Sequence, residues 1–172
     1  MKKKKNKKVL AGNSTCLDTG VIYGYGLKLL HKSKVKKNPR KKLKEIKEEG
    51  ILQKVVAKSD YLFTTILTSY EFVRKMAKSQ GVSINQARKI YNQIKEKYNI
   101  IEIIPNRKEI NISPKLMNDL CRCNLDFVDG LHIYICSLKK LSFITSETKK
   151  IENMREFYSE VKSVSEFLKS TN

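Results

Sequence analysis

Four carboxylates in this chain of 172 residues stand where short apolar segments end or where helix-like segments begin. They are far apart in the sequence: Asp18, Glu71, Asp129 and Glu147. If the fold brought them together, uncompensated carboxylates would repel one another and raise one another's pKa values. A divalent cation removes that conflict, and a site built from carboxylate oxygens alone suits Mg²⁺ or Mn²⁺. We therefore predict that these four acids hold Mg²⁺ or Mn²⁺.

The charge balance predicts the substrate class. Lys and Arg number 36 against 17 Asp and Glu, which gives a formal net charge of +19. Such a surface favours a polyanionic partner, with nucleic acid ahead of an anionic membrane, because binding phosphates releases counterions. Metal ions held by carboxylates activate water and stabilise the oxygens of an in-line phosphoryl displacement. Acids and lysines together therefore predict hydrolysis of phosphodiester bonds, although a solvated basic surface without a dedicated ligand is an alternative reading of the charge.

Each acid also fits a purely structural role. Thr68 and Glu71 have the spacing of a helix capping box, and Asp126 can be an N-cap with Asp129 complementing the helix dipole. Asp18 precedes residues typical of a turn. The joint position of the acids at strand and helix ends favours the metal site over these separate explanations.

Strand-like runs alternate with helix-like runs along the chain. Gly24 and Gly26 predict an irregular helix after the first strand. Alternation of this kind predicts parallel strands joined by right-handed crossovers, with helices on both faces of the sheet. Ligands of such α/β sheets bind beyond the carboxyl ends of the strands. The predicted strands are "STCLD" ending at Asp18, 61 to about 65, "IIEII" before Pro105, 141–145 and a short fifth strand around 161–164.

The helix predicted from Asp126 to Lys140 carries two of the aspartates. At about 100° per residue, its apolar side chains fall on one arc about 120° wide, and both aspartates lie on the opposite side. His132 also falls on the polar side, where a structural role is favoured over contact with substrate. The apolar arc comprises Phe127, Val128, Leu131, Tyr134, Ile135 and Leu138.

The remaining segments limit the other classes of protein. Residues 1–13 predict a flexible basic arm, because their lysine run offers little apolar surface to bury. The block from Lys34 to Lys44 predicts a basic surface segment. No secretory leader and no apolar run near the ~18 residues of a membrane span is visible, so we expect a cytoplasmic protein that does not bind membranes. The four cysteines lack C-x-x-C spacing and are expected to be reduced.

The motifs of two common enzyme classes are missing from the sequence. Neither G-x-S-x-G nor G-x-x-x-x-G-K-[ST] occurs, so the acyl hydrolase and P-loop NTPase classes lack support.

Four blocks of the sequence resemble, in order and spacing, those of the PIN domain family, the nucleases that include VapC-type toxins of toxin–antitoxin pairs. The blocks are "CLDTGVIYGY", "TSYEFVRKM", "DFVDGLHIYIC" and "LSFITSE", and the resemblance covers roughly residues 14–168. It implies a three-layer α/β/α sandwich around a parallel sheet of four to five strands, with residues 14–172 as the nuclease domain. It also implies a ribonuclease that depends on Mg²⁺ or Mn²⁺, a homodimer and, for a toxin, a small antitoxin partner.

Position by position, Asp18, Glu71 and Asp129 match the three principal metal-site acids of the PIN family. Glu147 stands where the family usually has Asp. Asp126 has no counterpart and is interpreted as a cap or a supporting group.

We therefore expect a metal-dependent endoribonuclease in which Asp18, Glu71, Asp129 and Glu147 are both catalytic and metal-binding residues. Two alternatives stay open at this stage. One is a non-catalytic RNA-binding protein that keeps the PIN-like fold, and the other is a basic adaptor without preference for nucleic acid. The identity of the RNA and the number of metal ions also stay open.

Overall fold

A parallel sheet of five short strands organises the part of the chain that the computed structural model describes, namely residues 13–32, 50–106, 110 and 112–170. The strands are rich in β-branched and aromatic residues, which favour a buried extended backbone. They are β1 (Ser14–Leu17), β2 (Tyr61–Thr65), β3 (Ile101–Ile103), β4 (Ser142–Thr145) and β5 (Val161–Ser163).

The strand order in the sheet is β3-β2-β1-β4-β5, and every neighbouring pair is parallel. The central strand β1 has Cys16 opposite Phe63 of β2 on one side and opposite Phe143 of β4 on the other. From β1 the chain first builds one half of the sheet and then returns to build the other half. The boundary between β1 and β4 is thus a topological switch point, where ligands of α/β sheets bind.

Eight helices flank the sheet in the described residues. Side chains cap several of them, and Ser83, Ser113 and Ser163 each accept a hydrogen bond from a backbone N–H of the first turn. The helices are α1 (Thr19–Lys32), α2 (residues 50–57), α3 (Ile66–Gln80), α4 (Ile84–Tyr98), α5 (Pro114–Arg122), α6 (Phe127–Lys139), α7 (Ile151–Phe157) and α8 (Val164–Lys169).

Two hydrophobic cores lie on opposite faces of the sheet. Neighbouring residues of a strand alternate between the faces. Leu17 and Ile144 pack into the core that includes α1, α3 and α4, whereas Cys16 and Phe143 pack into the core that includes α5, α6 and α7. The predicted α/β fold with helices on both faces is therefore confirmed, as a three-layer α/β/α sandwich with five strands.

Helix α1 is continuous, so the irregular helix predicted from Gly24 and Gly26 is wrong. Close packing against α3 accounts for one of these glycines. A Cβ atom on Gly26 would lie 2.4 Å from the ring carbon Cζ of Phe72, which is fully buried. The glycine thus lets α1 approach α3, and it does so without ending the helix.

The helix caps contradict the capping role predicted for Glu71 and confirm the one predicted for Asp126. Thr65 is the N-cap of α3 and accepts from the backbone N–H of Thr68 at 3.4 Å, so the capping box predicted for Thr68 and Glu71 is wrong. Asp126 is the N-cap of α6, as predicted, and accepts from the backbone N–H of Asp129 at 3.0 Å. The carboxylate of Glu71 is therefore not used as a cap.

The packing face predicted for α6 is partly wrong. Phe127, Val128 and Leu138 are 41%, 38% and 44% exposed. The helix instead buries a face that includes Gly130 and His132. Gly130 packs closely against Leu120 of α5, and His132 has hydrogen-bond partners on both ring nitrogens. A count of large apolar side chains alone misses this face, which comprises Gly130, Leu131, His132, Ile133, Ile135 and Cys136.

Several predictions fall outside the described residues. They are residues 1–12 of the basic arm predicted over 1–13 and the basic block over 34–44, and nothing is described for the side chain of His31. All four cysteines are free. None of the helices within the described ranges is long and apolar enough to cross a membrane.

Candidate active site

The four predicted acids line one open cavity of about 410 Å³ at the carboxyl edge of the sheet. Each reaches it from a different element. Asp18 follows β1, Glu71 lies in the second turn of α3, Asp129 lies in the first turn of α6, and Glu147 follows β4 by two residues. Parallel strands bring these positions together because their carboxyl ends share one edge.

Asp18 is held in place by hydrogen bonds from both sides of the sheet boundary. Its backbone N–H donates to the carbonyl oxygen of Ile144 at 2.9 Å. Its Oδ1 accepts from the backbone N–H of Thr19 at 2.6 Å, and its Oδ2 accepts from the hydroxyl of Thr145 at 2.8 Å. Burial raises the pKa of Asp18, and the nearby Glu71 carboxylate adds to this rise. The hydrogen bonds from Thr145 and Thr19 lower the pKa but do not cancel the rise.

Glu71 is oriented by two side chains. Its Oε2 accepts from the hydroxyl of Thr19 at 2.6 Å and lies 3.2 Å from Nε2 of His132. The hydrogen bond with His132 lowers the pKa of Glu71, and burial opposes this effect. Glu71 thus stays ionised beside the more buried Asp18.

His132 is 1% exposed and has partners on both ring nitrogens. Its Nδ1 lies 2.7 Å from the hydroxyl oxygen of Thr65, which caps α3. The structural role expected for this histidine agrees with its burial, although its expected position on the polar side of the helix is wrong. Its contact with Glu71 also makes it part of the site.

Asp129 shares its surroundings with Asp126 and Lys150. The ammonium of Lys150 lies 2.9 Å from Oδ2 of Asp126 and 3.5 Å from Oδ2 of Asp129. Burial and the neighbouring Asp126 raise the pKa of Asp129 to about 6, and Asp18 adds to this rise. Burial also disfavours the ionised form of Asp126, but hydrogen bonds from Asp129 and Lys150 lower its pKa to about 2. Asp126 is therefore a cap and a charged neighbour of Asp129.

Glu147 lines the cavity from the loop after β4. Its backbone N–H donates to the hydroxyl of Thr145 at 2.9 Å, and its Oε1 accepts from the backbone N–H of Lys149 at 2.7 Å. The carboxylate is thus bonded to its own loop. Beside it, a Cβ on Gly20 would lie 2.0 Å from Oγ of Ser146 and 3.5 Å from Oδ2 of Asp18, so the first turn of α1 and the loop after β4 meet closely here.

Three basic residues of α3 line the same cavity, and they were not among the predicted site residues. Arg74, Lys75 and Lys78 follow Glu71 by three, four and seven residues. This spacing places side chains on one face of a helix, so it could have identified them. Thr19 was missed as well, although its position directly after Asp18 marked it as a neighbour. The cavity therefore combines acids with exposed cations.

The donor chemistry of this cavity fits a hard divalent cation. With the side chains as they lie, no three His, Cys, Asp or Glu residues in the described part of the chain are arranged as a metal site. The acids nevertheless supply only oxygen donors, and Asp18 and Asp129 both have raised pKa values. Oxygen ligands of this kind match Mg²⁺ or Mn²⁺. A bound cation would relieve the electrostatic cost of ionising both groups.

Comparison with known proteins adds no assignment. No family model matches the sequence, and no curated protein matches it either. The resemblance to the PIN domain family therefore stays a prediction based on the four sequence blocks.

Proposed function

We propose that this protein is a PIN-like endoribonuclease that depends on Mg²⁺ or Mn²⁺ and hydrolyses phosphodiester bonds of RNA. One observation carries the proposal. Acids from four separate parts of the sequence line a single cavity together with three basic side chains of α3. Acids alone would suit a cation-binding protein, and basic residues alone would suit an anion-binding one. Their combination suits chemistry on a phosphate held next to a metal ion.

Asp18, Glu71, Asp129 and Glu147 are the residues that would hold the metal. When bound, a divalent ion would activate water and stabilise negative charge on phosphate oxygens. The raised pKa values of Asp18 and Asp129 support this assignment, because perturbed carboxylates cluster at functional sites.

The remaining side chains have supporting tasks in this proposal. Arg74, Lys75 and Lys78 bind the phosphates of the RNA strand and orient them toward the acids. Thr19 and His132 hold the Glu71 carboxylate in one position by hydrogen bonds. Positioning of this kind accounts for a large part of catalysis in phosphoryl transfer.

A nucleic acid as the partner is supported by the net charge of +19, and RNA in particular by the resemblance to the PIN family. The resemblance to VapC-type toxins extends the proposal to a homodimer, a small antitoxin partner and a cytoplasmic location. A small open reading frame next to the gene would support the antitoxin.

Cleavage of RNA by the purified protein, with and without Mn²⁺, tests the proposed activity. We expect Mn²⁺-dependent cleavage that falls by at least about 100-fold in Asp18→Asn and Asp129→Asn, since each removes a metal-binding charge. Asp119→Asn on α5 is the matched control, because the Asp119 side chain pairs with Arg122 at 3.9 Å and does not line the cavity.

Cleavage that persists in both site variants would indicate a contaminating nuclease and refute the assignment. Salt-sensitive RNA binding without any cleavage would favour the non-catalytic RNA-binding protein instead.

A further inference from the structure

A second cavity, of about 260 Å³, lies on the other side of α3. Its walls come from α3, α4 and the edge strand β3. Tyr70 and Val73 line it from α3, Arg88 and Asn92 line it from α4, and Glu102 lines it from β3. Tyr70 and the next residue, Glu71, both belong to α3, but they line different cavities. Helix α3 therefore separates this cavity from the acids.

Tyr70 is the most unusual feature of this cavity. It is 65% exposed, although a tyrosine ring gains free energy when apolar surface is covered. Its neighbours in the cavity offer an apolar wall at Val73 and polar groups on α4. Arg88 and Asn92 are one helical turn apart and both exposed, so they present a guanidinium and an amide side by side.

Part of the polar lining is already engaged. The Glu102 carboxylate lies 3.0 Å from the ammonium of Lys95 and accepts from the hydroxyl of Tyr91 at 3.3 Å. In contrast, among the residues that the structure describes, the side chains of Tyr70, Arg88 and Asn92 make no polar contact with the protein. The free groups are therefore an aromatic face, an amide that both donates and accepts, and a cationic donor.

We infer that this cavity binds a nucleobase of the single-stranded RNA whose phosphates lie along Arg74, Lys75 and Lys78. The base stacks on Tyr70, and Asn92 and Arg88 bond to its edge. This inference rests on the proposed function, because it takes the RNA strand of the neighbouring cavity as the ligand. An exposed aromatic ring beside a basic groove is the combination that single-stranded nucleic acid recognises.

Tyr70 of the second cavity and Arg74 of the first are four residues apart on α3. Their side chains are therefore neighbours on the surface of this helix, with Cβ atoms about 5–6 Å apart. A nucleotide whose base stacks on Tyr70 thus has a phosphate within reach of Arg74, and the base selects the sequence next to the cut.

Binding of labelled RNA without divalent ions tests the inference separately from cleavage. Fluorescence anisotropy compares a short single-stranded RNA with an abasic strand of the same length. Tyr70→Ala should weaken binding of the RNA about fivefold or more, because stacking on the ring is lost, and should leave the abasic strand unaffected. Tyr70→Phe should bind nearly as the wild type does, since it keeps the ring.

Tyr61→Ala is the matched control. Tyr61 is 43% exposed and begins β2, at the opposite end of the strand from the acids. This control should bind both strands as the wild type does. Far-UV circular dichroism of each variant checks the fold, which replacement of an exposed side chain leaves intact.

The result separates the two proposals. An equal loss for RNA and abasic strand in Tyr70→Ala, or no loss at all, would overturn the base site even if Mn²⁺-dependent cleavage is observed. A selective loss for the base-carrying strand in a protein that never cleaves RNA would support the base site and refute the nuclease.

Discussion

The buried imidazole of His132 connects the cap of α3 to the acid on the same helix, with Nε2 3.2 Å from Oε2 of Glu71 and Nδ1 2.7 Å from the hydroxyl oxygen of Thr65. Both contacts are satisfied at once if the Thr65 hydroxyl donates to Nδ1 and Nε2–H donates to Glu71. The ring then fixes the orientation of the carboxylate, as histidine partners do at many functional sites.

His132→Phe tests this positioning role. It removes the donor to Glu71, so the pKa of Glu71 should rise. The acidic limb of the pH profile for RNA cleavage should therefore move to higher pH. The free energy of unfolding should also fall by about 1–3 kcal/mol, because the hydroxyl of Thr65 loses its buried partner.

His132→Gln provides the comparison, since its amide can still donate to Glu71. In this variant the acidic limb should lie between those of the wild type and His132→Phe. If the acidic limb of His132→Phe coincides with that of the wild type, the positioning role is contradicted.

Asp129→Asn should stabilise the metal-free protein at neutral pH while it abolishes cleavage. The pKa of Asp129 in the folded protein is about 6, above its ordinary value of 3.8. Between these values the folded state binds more protons than the unfolded state, so the free energy of unfolding falls as pH rises. Well above pH 6 the folded protein carries the full cost of an ionised, partly buried Asp129, and the neutral Asn side chain removes this cost. Since Asp129 is 31% exposed, we expect a gain of only about 1 kcal/mol.

Urea unfolding in EDTA at pH 4.0 and pH 7.5 measures this effect. The stabilisation should appear at the higher pH and vanish at the lower one, and it should be absent from Asp119→Asn. If Asp129→Asn is less stable than the wild type at pH 7.5, the expected cost of ionising Asp129 is contradicted.

Lys150→Met should tighten binding of Mn²⁺ at pH 8. The ammonium of Lys150 lies close to both Asp126 and Asp129 and competes with a cation for their charge. Exposed ion pairs contribute about 0.2–1 kcal/mol, so the gain in affinity should be between about 1.4-fold and about fivefold. Calorimetric titration with Mn²⁺ measures it, and Lys149→Met serves as the control because it removes a neighbouring charge without removing this pair. Weaker binding in Lys150→Met would contradict the competition.

Gly26→Ala should destabilise the protein through the contact of α1 with α3. A Cβ there would lie 2.4 Å from Cζ of Phe72, and overpacking of this kind costs about 1–3 kcal/mol. Because the close approach of these helices also brings Thr19 to Glu71, cleavage should fall too. A double-mutant cycle with Phe72→Leu measures the coupling by urea unfolding. The second substitution should recover part of the loss, and strictly additive effects would argue against the contact.

The fold class could be predicted because hydrophobic periodicity distinguishes strands from helices, and their alternation along the chain indicates an α/β fold. The strands that end at Leu17, Thr65 and Thr145 were recognisable from their composition, and parallel strands joined through helices leave few topologies. The acids could be assigned to one edge for the same reason. The packing face of α6 could not be predicted, since His132 and Gly130 are buried only because particular neighbours accommodate them.

The sequence by itself determined the α/β class and the positions of Asp18, Glu71, Asp129 and Glu147 at element ends or within the first two turns of a helix, because local spacing along the chain decides where strands end and helices begin. Only the tertiary structure decided that Glu71 faces His132 and Thr19 and does not cap its own helix. It also decided that Lys150 neighbours Asp129 and that Tyr70 borders a second cavity. These contacts join residues far apart in the chain, and their distances depend on how whole helices pack against the sheet, which no local pattern encodes.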